Sequence, residues 1–189
     1  AQPYRRHSPQ RVIEEIKLLV NKYKVKEIAF WDDNFLINEK WINEFCQLLE
    51  KENIKVPWQC YGKVNSITPT MLKTVAKAGC WNVFYGLESG NQDLLNNINK
   101  GITLEQVKNA VKLTHEAGMD TRGSFMLALP DEDPSKALNT INFAIELDLT
   151  FAQFLPTHPE YGTPLYDAAI QSGVMVPKFH GRNNPTFIP

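Results

Sequence analysis

The chain has 189 residues, the length of one domain or of a piece of a larger one. Lys plus Arg total 20 against 21 for Asp plus Glu, a formal net charge of −1, so no global basic field is on hand to hold nucleic acid or an anionic membrane. With 43% apolar and 22% charged residues the composition excludes disorder for most of the chain, and no apolar run nears the ~20 residues of a membrane helix.

From the N-terminus, AQPYRRHSPQ lacks the hydrophobic core of a signal peptide, and its Ser8 and Pro9 open a helix over 9–24. The stripe of that helix is Val12, Ile13, Ile16, Leu19, Val20 and Tyr23. Residues 26–31 (KEIAFW) are a short β-prone run, followed at once by Asp32, Asp33 and Asn34. A second helix follows Asn38, with Trp41, Ile42, Phe45, Leu48 and Leu49 on one face. Residues 55–61 (KVPWQCY) read as strand, and Thr68-Pro69 starts a third helix that runs through Ala78 and stops at Gly79. A strand over 81–87 ends in the GLESG stretch of residues 86–90. A short helix covers 91–98, and a longer one begins at Thr103, where Gln106 completes a capping box, and runs to Gly118. Residues 119–129 form another strand, ending at Pro130, and Asp133-Pro134 opens a helix bearing Leu138, Ile141, Ala144, Ile145 and Leu147. A last strand spans 150–155, ahead of a Pro/Gly/Tyr-rich loop and a brief helix at 164–171. The end of the chain, 174–189, has little pattern and is expected to be loosely ordered.

Strand and helix alternate in units of about 25–40 residues, which makes this an α/β chain with a parallel sheet covered by helices. Right-handed crossovers leave two closures, a β/α barrel or an open doubly wound sheet, and both gather functional loops at the C-terminal ends of the strands. The polar clusters fall there: Asp32-Asp33 after one strand, Lys63 after another, Glu88-Ser89 after a third and Pro130 to Asp133 after a fourth. Five strands are visible and the first element is a helix, so a barrel of this kind lacks its first strand and the chain reads as a fragment. The strand at 26–31 would then present an open edge, which invites a dimer or edge pairing there.

Among candidate chemical groups, Asp32 and Asp33 could bind a divalent metal, a cationic amine or a pair of ribose hydroxyls. The plainer reading has Asp33 or Asn34 capping the next loop and Asp32 solvated, and side-chain alternation points only one of the two aspartates into a site. Gly86 and Gly90 permit close approach or positive φ around Glu88, which sits at a strand mouth. Gly123 and Ser124 lie inside a strand, where glycine suggests that a ligand or another backbone comes close. Arg122 adds a charge that could meet a carboxylate or could simply be solvated. The four histidines have no metal-ligand spacing, and His115 is placed to satisfy carbonyls at a helix end. Cys46, Cys60 and Cys80, separated by 14 and 20 residues, match no zinc or cluster spacing. Their odd number argues against a disulfide framework and for a reducing cytoplasm.

Taken together, four ordered stretches resemble the radical S-adenosylmethionine superfamily, in its cobalamin-associated branch typified by the anaerobic magnesium-protoporphyrin monomethyl ester cyclases. They are RRHSPQRVIEEIKLL (5–19), FWDDNFLIN (30–38), GLESGNQDLLNNINKGIT (86–103), and GSFMLALPDED with PEYGTPLYDAAIQSG (123–133 and 159–173). The resemblance implies a partial (β/α) barrel over 1–173, with 174–189 as a tail. It implies S-adenosylmethionine and a [4Fe–4S] cluster as cofactors, with cobalamin in the parent protein as a further possibility. In the intact family, reductive cleavage of the sulfonium gives a 5′-deoxyadenosyl radical that abstracts hydrogen from a small-molecule substrate. The cofactor-binding residues carried over by position are Asp32 or Asp33 on the methionyl amine, Glu88 and Ser89 on ribose or methionyl groups, and Lys63, Arg122 and Ser124 lining the pocket.

Two departures qualify the resemblance. The CxxxCxxC loop that holds the cluster is absent, so the chain as given is expected to be inactive while its parent is an enzyme. The glycines usual near Ala128 and Asp131 are replaced as well. Two other classes compete with this reading. One is a β/α-barrel lyase built on Asp32, Asp33 and Lys63 or Lys100; the other is a non-catalytic β/α ligand-binding or docking module.

Overall fold

The computed structural model describes residues 5–171 and 173, together with the strand backbone at 175–176 and 186–187. The chain divides into two units, Ala1–Leu155 and Pro156–Pro189. In the first unit, helix α1 (Pro9–Tyr23) leads into strand β1 (Ile28–Phe30), then α2 (Glu39–Lys51), β2 (Trp58–Gly62), α3 (Pro69–Lys77) and β3 (Cys80–Glu88). The short α4 (Gln92–Asn97), α5 (Leu104–Glu116), β4 (Asp120–Leu127), α6 (Pro134–Glu146) and β5 (Phe151–Pro156) complete it. The strands form one sheet in the order β1-β2-β3-β4-β5, with parallel ladders between β1 and β2, β2 and β3, and β3 and β4.

This order decides between the two closures that the sequence left open. A doubly wound sheet reverses direction at a switch point. Here the order never reverses, so right-handed crossovers place every connecting helix on the same side, as in an arc of a β/α barrel. Alternation along the strands shows the result. Trp58, Cys60, Val83, Tyr85, Leu87 and Phe125 are buried on the helix side. Gln59, Tyr61, Phe84, Arg122 and Ser124 are half-buried on the opposite, interior side.

The helix starts follow from local chemistry. Ser8 Oγ accepts from the Arg11 amide at 3.3 Å, Asn38 Oδ1 from Trp41 at 2.8 Å, Thr68 Oγ1 from Met71 at 3.1 Å and Asp133 Oδ1 from Lys136 at 2.9 Å. The capping box at Thr103 and Gln106 is present in both directions. Under the N-terminal half of the sheet, Phe30, Phe35, Phe45 and Trp58 pack as an aromatic cluster with centroid separations of 4.3–5.7 Å.

Three details differ from the sequence reading. β2 begins at Trp58 rather than Lys55, because Pro57 has no amide proton to donate and contributes only its carbonyl, to Ile28. A 3₁₀ turn at Phe35–Ile37, unmarked by periodicity, drops Phe35 and Leu36 into the core. The stripe read on α6 is rotated: Thr140, Phe143 and Ala144 face inward, while Leu138 and Ile145 are exposed.

The second unit contains α7 (Pro164–Gln171), whose Tyr166 amide donates to Thr163 Oγ1 at 3.2 Å, and an antiparallel pair of β6 (Met175–Val176) and β7 (Thr186–Phe187). Apart from that pair, the expectation of loose order over 174–189 lies outside the described residues. No helix among the described residues is long and apolar enough to cross a membrane.

Candidate functional site

The C-terminal ends of β1 to β4 converge on one mouth, and β3 supplies its most organised part. Glu88, the last residue of β3, has φ +64°, where an L side chain is strained. The bend comes with a register shift between Gly86 and Glu88 against β4. It brings Glu88 Oε1 to 2.5 Å from Lys100 Nζ, with the two side chains 16% and 28% exposed. Gly86 makes this possible: a Cβ there would lie 2.8 Å from Glu88 Oε1 and 3.1 Å from Lys100 Nζ. Lys100 entered the sequence reading only under the lyase alternative, yet it is the cation that the mouth places against Glu88. Its distance of 12 residues from Glu88 explains why no local pattern marked it.

Ser89 and Gly90 have a different use. Ser89 is fully buried, and its hydroxyl is shared among Thr140 Oγ1 at 3.2 Å, the Asn91 amide at 3.1 Å and the Asn91 side chain at 3.3 Å. Gly90 donates its amide to Thr140 Oγ1 at 3.1 Å, and a Cβ on it would stand 2.7 Å from Phe143 Cβ and 2.9 Å from Thr140 Cα. The hydroxyl expected on a ribose is therefore engaged inside the protein. Ser89 fixes the Glu88 loop to α6 rather than facing a ligand with its side chain.

At the end of β1 the two aspartates separate. Asp32 lines a cleft of about 180 Å³ with Phe30, His7, Glu15 and Trp41, toward the start of α1. Asp33 is exposed in the turn and does not line that cleft. Asn34 is 7% exposed and caps nothing; its Oδ1 accepts from the Lys63 amide and from Ser66 Oγ, each at 3.3 Å, tying the β1 and β2 loops together. Lys63 itself is exposed beside that tie.

On β4, the glycine signal has a packing cause. A Cβ on Gly123 would meet Leu149 Cδ1 at 2.7 Å and Leu87 Cδ1 at 2.9 Å, so core side chains, not a ligand or a backbone, occupy the space. Ser124 is half-buried on the interior face, opposite Gly86 in the ladder. Arg122 is not a solvated surface charge: its guanidinium carbon stands 5.2 Å from the Phe84 ring centre and 4.7 Å from that of Phe151, and Nη2 donates to Gln153 Oε1 at 3.1 Å. After β4, Ala128 (φ +61°) and Asp131 (φ +63°) hold left-handed backbone at the positions where the sequence lacks expected glycines. The path survives without them, closed by the Leu129 amide donating to Glu132 Oε2 at 3.0 Å.

The metal chemistry of the chain is narrow. Among the described residues no group of three or more His, Cys, Asp or Glu side chains is placed to hold a metal ion. The three cysteines, far apart in sequence, converge in the core with Cys60 and Cys80 in side-chain contact. Burial pushes the Cys46 thiol up to about 12, and burial first, then Cys80, raises Cys60 well above its ordinary value. Such thiols stay protonated, and they lie behind the sheet rather than at the mouth, so they do not fit the ligand set of an iron–sulfur cluster. His115 is bonded to Thr121 Oγ1 at 2.8 Å instead of to helix-end carbonyls.

Comparison with known proteins agrees with this geometry. The sequence profile described as the radical SAM superfamily matches residues 1–144. An uncharacterized methyltransferase of Pyrococcus horikoshii is 36% identical over 173 residues, a match spanning 92% of this chain and 38% of that protein. An anaerobic magnesium-protoporphyrin IX monomethyl ester cyclase of Rubrivivax gelatinosus is 32% identical over 143 residues, spanning 75% of this chain and 26% of that enzyme. The chain thus spans well under half the length of these relatives. Among solved structures, the radical S-adenosylmethionine methyltransferase TsrM of Kitasatospora setae, with cobalamin and a [4Fe–4S] cluster bound, superposes with a TM-score of 0.77 at 18% identity. That match covers 89% of this chain and 35% of TsrM and shows a shared fold.

Proposed function

The chain belongs to the radical SAM superfamily, and on that premise we propose that it supplies the S-adenosylmethionine-binding wall of an iron–sulfur oxidoreductase acting on a small molecule. The observation that carries the proposal is the Glu88–Lys100 pair, held at a strand mouth by a strained backbone and by the missing side chain of Gly86. A zwitterionic amino acid linked to a nucleoside offers a carboxylate, an ammonium and two ribose hydroxyls. Lys100 is the partner for the carboxylate. Glu88 is the acceptor for the ammonium or for a ribose hydroxyl. The two side chains exchange one ion pair for opposite-charge contacts to the ligand's carboxylate and ammonium, so binding leaves neither charge stranded. Ser89, Gly90 and Thr140 keep the Glu88 loop in register with α6, and Ser124 lies across the ladder from Gly86 on the same wall.

S-adenosylmethionine, once bound, supplies the sulfonium whose reductive cleavage starts radical chemistry. The protein's part is to orient the methionyl and adenosyl ends and to keep water from them. The cysteines of this chain do not fit the [4Fe–4S] cluster that such cleavage uses, and the chain by itself is accordingly proposed to be inactive. Relatives named as methyltransferases and as a cyclase favour group transfer or ring formation on the substrate, with cobalamin as a further cofactor of the parent protein. The test is anaerobic reconstitution, with iron and sulfide, of the gene product that contains this chain, followed by an assay for 5′-deoxyadenosine. Formation of the nucleoside by the wild type and its loss in Glu88→Gln supports the proposal; no cluster and no product overturns it.

A further inference from the structure

The interior face of the sheet carries a feature that the cofactor mouth leaves unused. An aromatic band crosses it from β1 to β5: Trp31 lies 5.6 Å from Tyr61, Tyr61 lies 4.6 Å from Phe84, and the Arg122 guanidinium is stacked between Phe84 and Phe151. Trp31 is 78% exposed and Phe151 52%, so the band opens to solvent at both edges of the sheet. Within the band Arg122 is a charge without a counter-charge: among the described residues no carboxylate forms an ion pair with it, and its Nε is buried with no partner. Two residues toward the N-terminal end of β3, on the same face, Asn82 is 5% exposed and its Oδ1 is likewise buried and unpaired. Buried donors and acceptors are rarely left unpaired, which marks this row as one whose polar groups the fold alone does not complete.

Depth separates this feature from the cofactor mouth. Strands rise roughly 3.3 Å per residue, and the Glu88 carboxylate and Lys100 ammonium lie over Gly86, which puts the Phe84–Arg122 row roughly 7 Å from them along β3. The band is therefore the next row of the same wall, one same-face position nearer the N-terminal ends of the strands. We infer that the band is the substrate subsite of the same wall, and that it takes a carboxylate carried on a flat, apolar body. The guanidinium fork meets the carboxylate, and the rings of Tyr61, Phe84 and Phe151 meet the body. This rests on the cofactor reading of the Glu88 mouth, since it is that reading which leaves the band free for substrate. Arginine suits the position because its plane stacks on rings while its edge stays open to an oxyanion, which a lysine cannot do.

The test uses this chain with two probes of one shape, 2-naphthoate and the neutral 2-naphthamide, and reads the arginine Nε–H resonances by NMR alongside affinity. S-adenosylhomocysteine serves as a separate probe of the mouth. The expected result is that naphthoate shifts the Arg122 Nε–H signal and binds at least about tenfold more tightly than the amide. Arg122→Gln abolishes that preference, and Arg122→Lys retains only part of it. Equal binding of acid and amide, or no binding of the acid, overturns the inference, as does an Arg122→Gln variant that keeps the preference and weakens S-adenosylhomocysteine instead. A failed cofactor reading has its own signature: Glu88→Gln leaves S-adenosylhomocysteine binding as it was, whatever naphthoate does.

Discussion

Replacing Ala128 by glycine should stabilise this protein, against the usual direction for an alanine-to-glycine change. Ala128 sits in the loop after β4 with φ +61° and is exposed, so its methyl group contributes no packing. Left-handed backbone costs an L residue about 1–2 kcal/mol, whereas glycine adopts it freely. Against that gain stands the greater chain entropy of glycine in the unfolded state, about 0.5–1 kcal/mol. The balance is a stabilisation of about 0.5–1 kcal/mol, or a rise in Tm of about 1–4 °C for a chain of this size. Asp131, at φ +63°, gains less, because aspartate tolerates this region better and its charge lies near Lys136. Urea denaturation gives the answer directly: Ala128→Gly should raise the midpoint with an unchanged slope, and Asp131→Gly should leave it within a few tenths of a kcal/mol. A lower midpoint for Ala128→Gly at the same slope would refute the idea that the loop keeps a glycine path without its glycines.

Gly90→Ala should destabilise by about 1–3 kcal/mol, since the added Cβ meets Phe143 Cβ at 2.7 Å and backbone at 2.9 Å; an unchanged urea midpoint would contradict the packing given for this residue. All three thiols should resist a thiol reagent at pH 8 in the folded protein and react together in denaturant. Stability should also fall as pH rises above about 9, because the unfolded thiols ionise there while buried Cys46, held up to about 12, keeps its proton; a flat profile between pH 9 and 11 would count against this. The free edge of β1 should support self-association. Ile28 turns its amide toward β2, to Pro57 O, so the amide of the next residue, Ala29, points outward. Sedimentation should therefore show a dimer that Ala29→Pro abolishes without unfolding the sheet.

What could be read from the sequence was the part written locally. Ser8, Asn38, Thr68, Thr103 and Asp133 each act within four residues, and each helix starts where its cap predicts. Strand identity followed from short β-branched and aromatic runs, and Glu88 was placed at its strand mouth by chain order alone. The misreadings at the candidate site are mostly long-range. Ser89 looked like a ligand group because its hydroxyl partner, Thr140, lies 51 residues on. Gly123 suggested a ligand or another backbone because the leucines that fill its space, Leu87 and Leu149, come from β3 and from the loop before β5. Arg122 looked as if it could be solvated because Phe84 and Phe151 flank it only once β3, β4 and β5 are side by side. Nor does spacing reveal that Cys60 and Cys80 touch, since that contact depends on a register shift between β2 and β3 near Trp58.

The most direct test of the central claim is calorimetric titration of this chain with S-adenosylmethionine, repeated on Glu88→Gln and Lys100→Met. The account predicts measurable binding by the wild type, weakened at least about tenfold by either substitution, with Asp33→Asn and Lys63→Met close to wild type. Wild-type binding that survives both substitutions would move the cofactor away from the Glu88–Lys100 mouth and contradict the account.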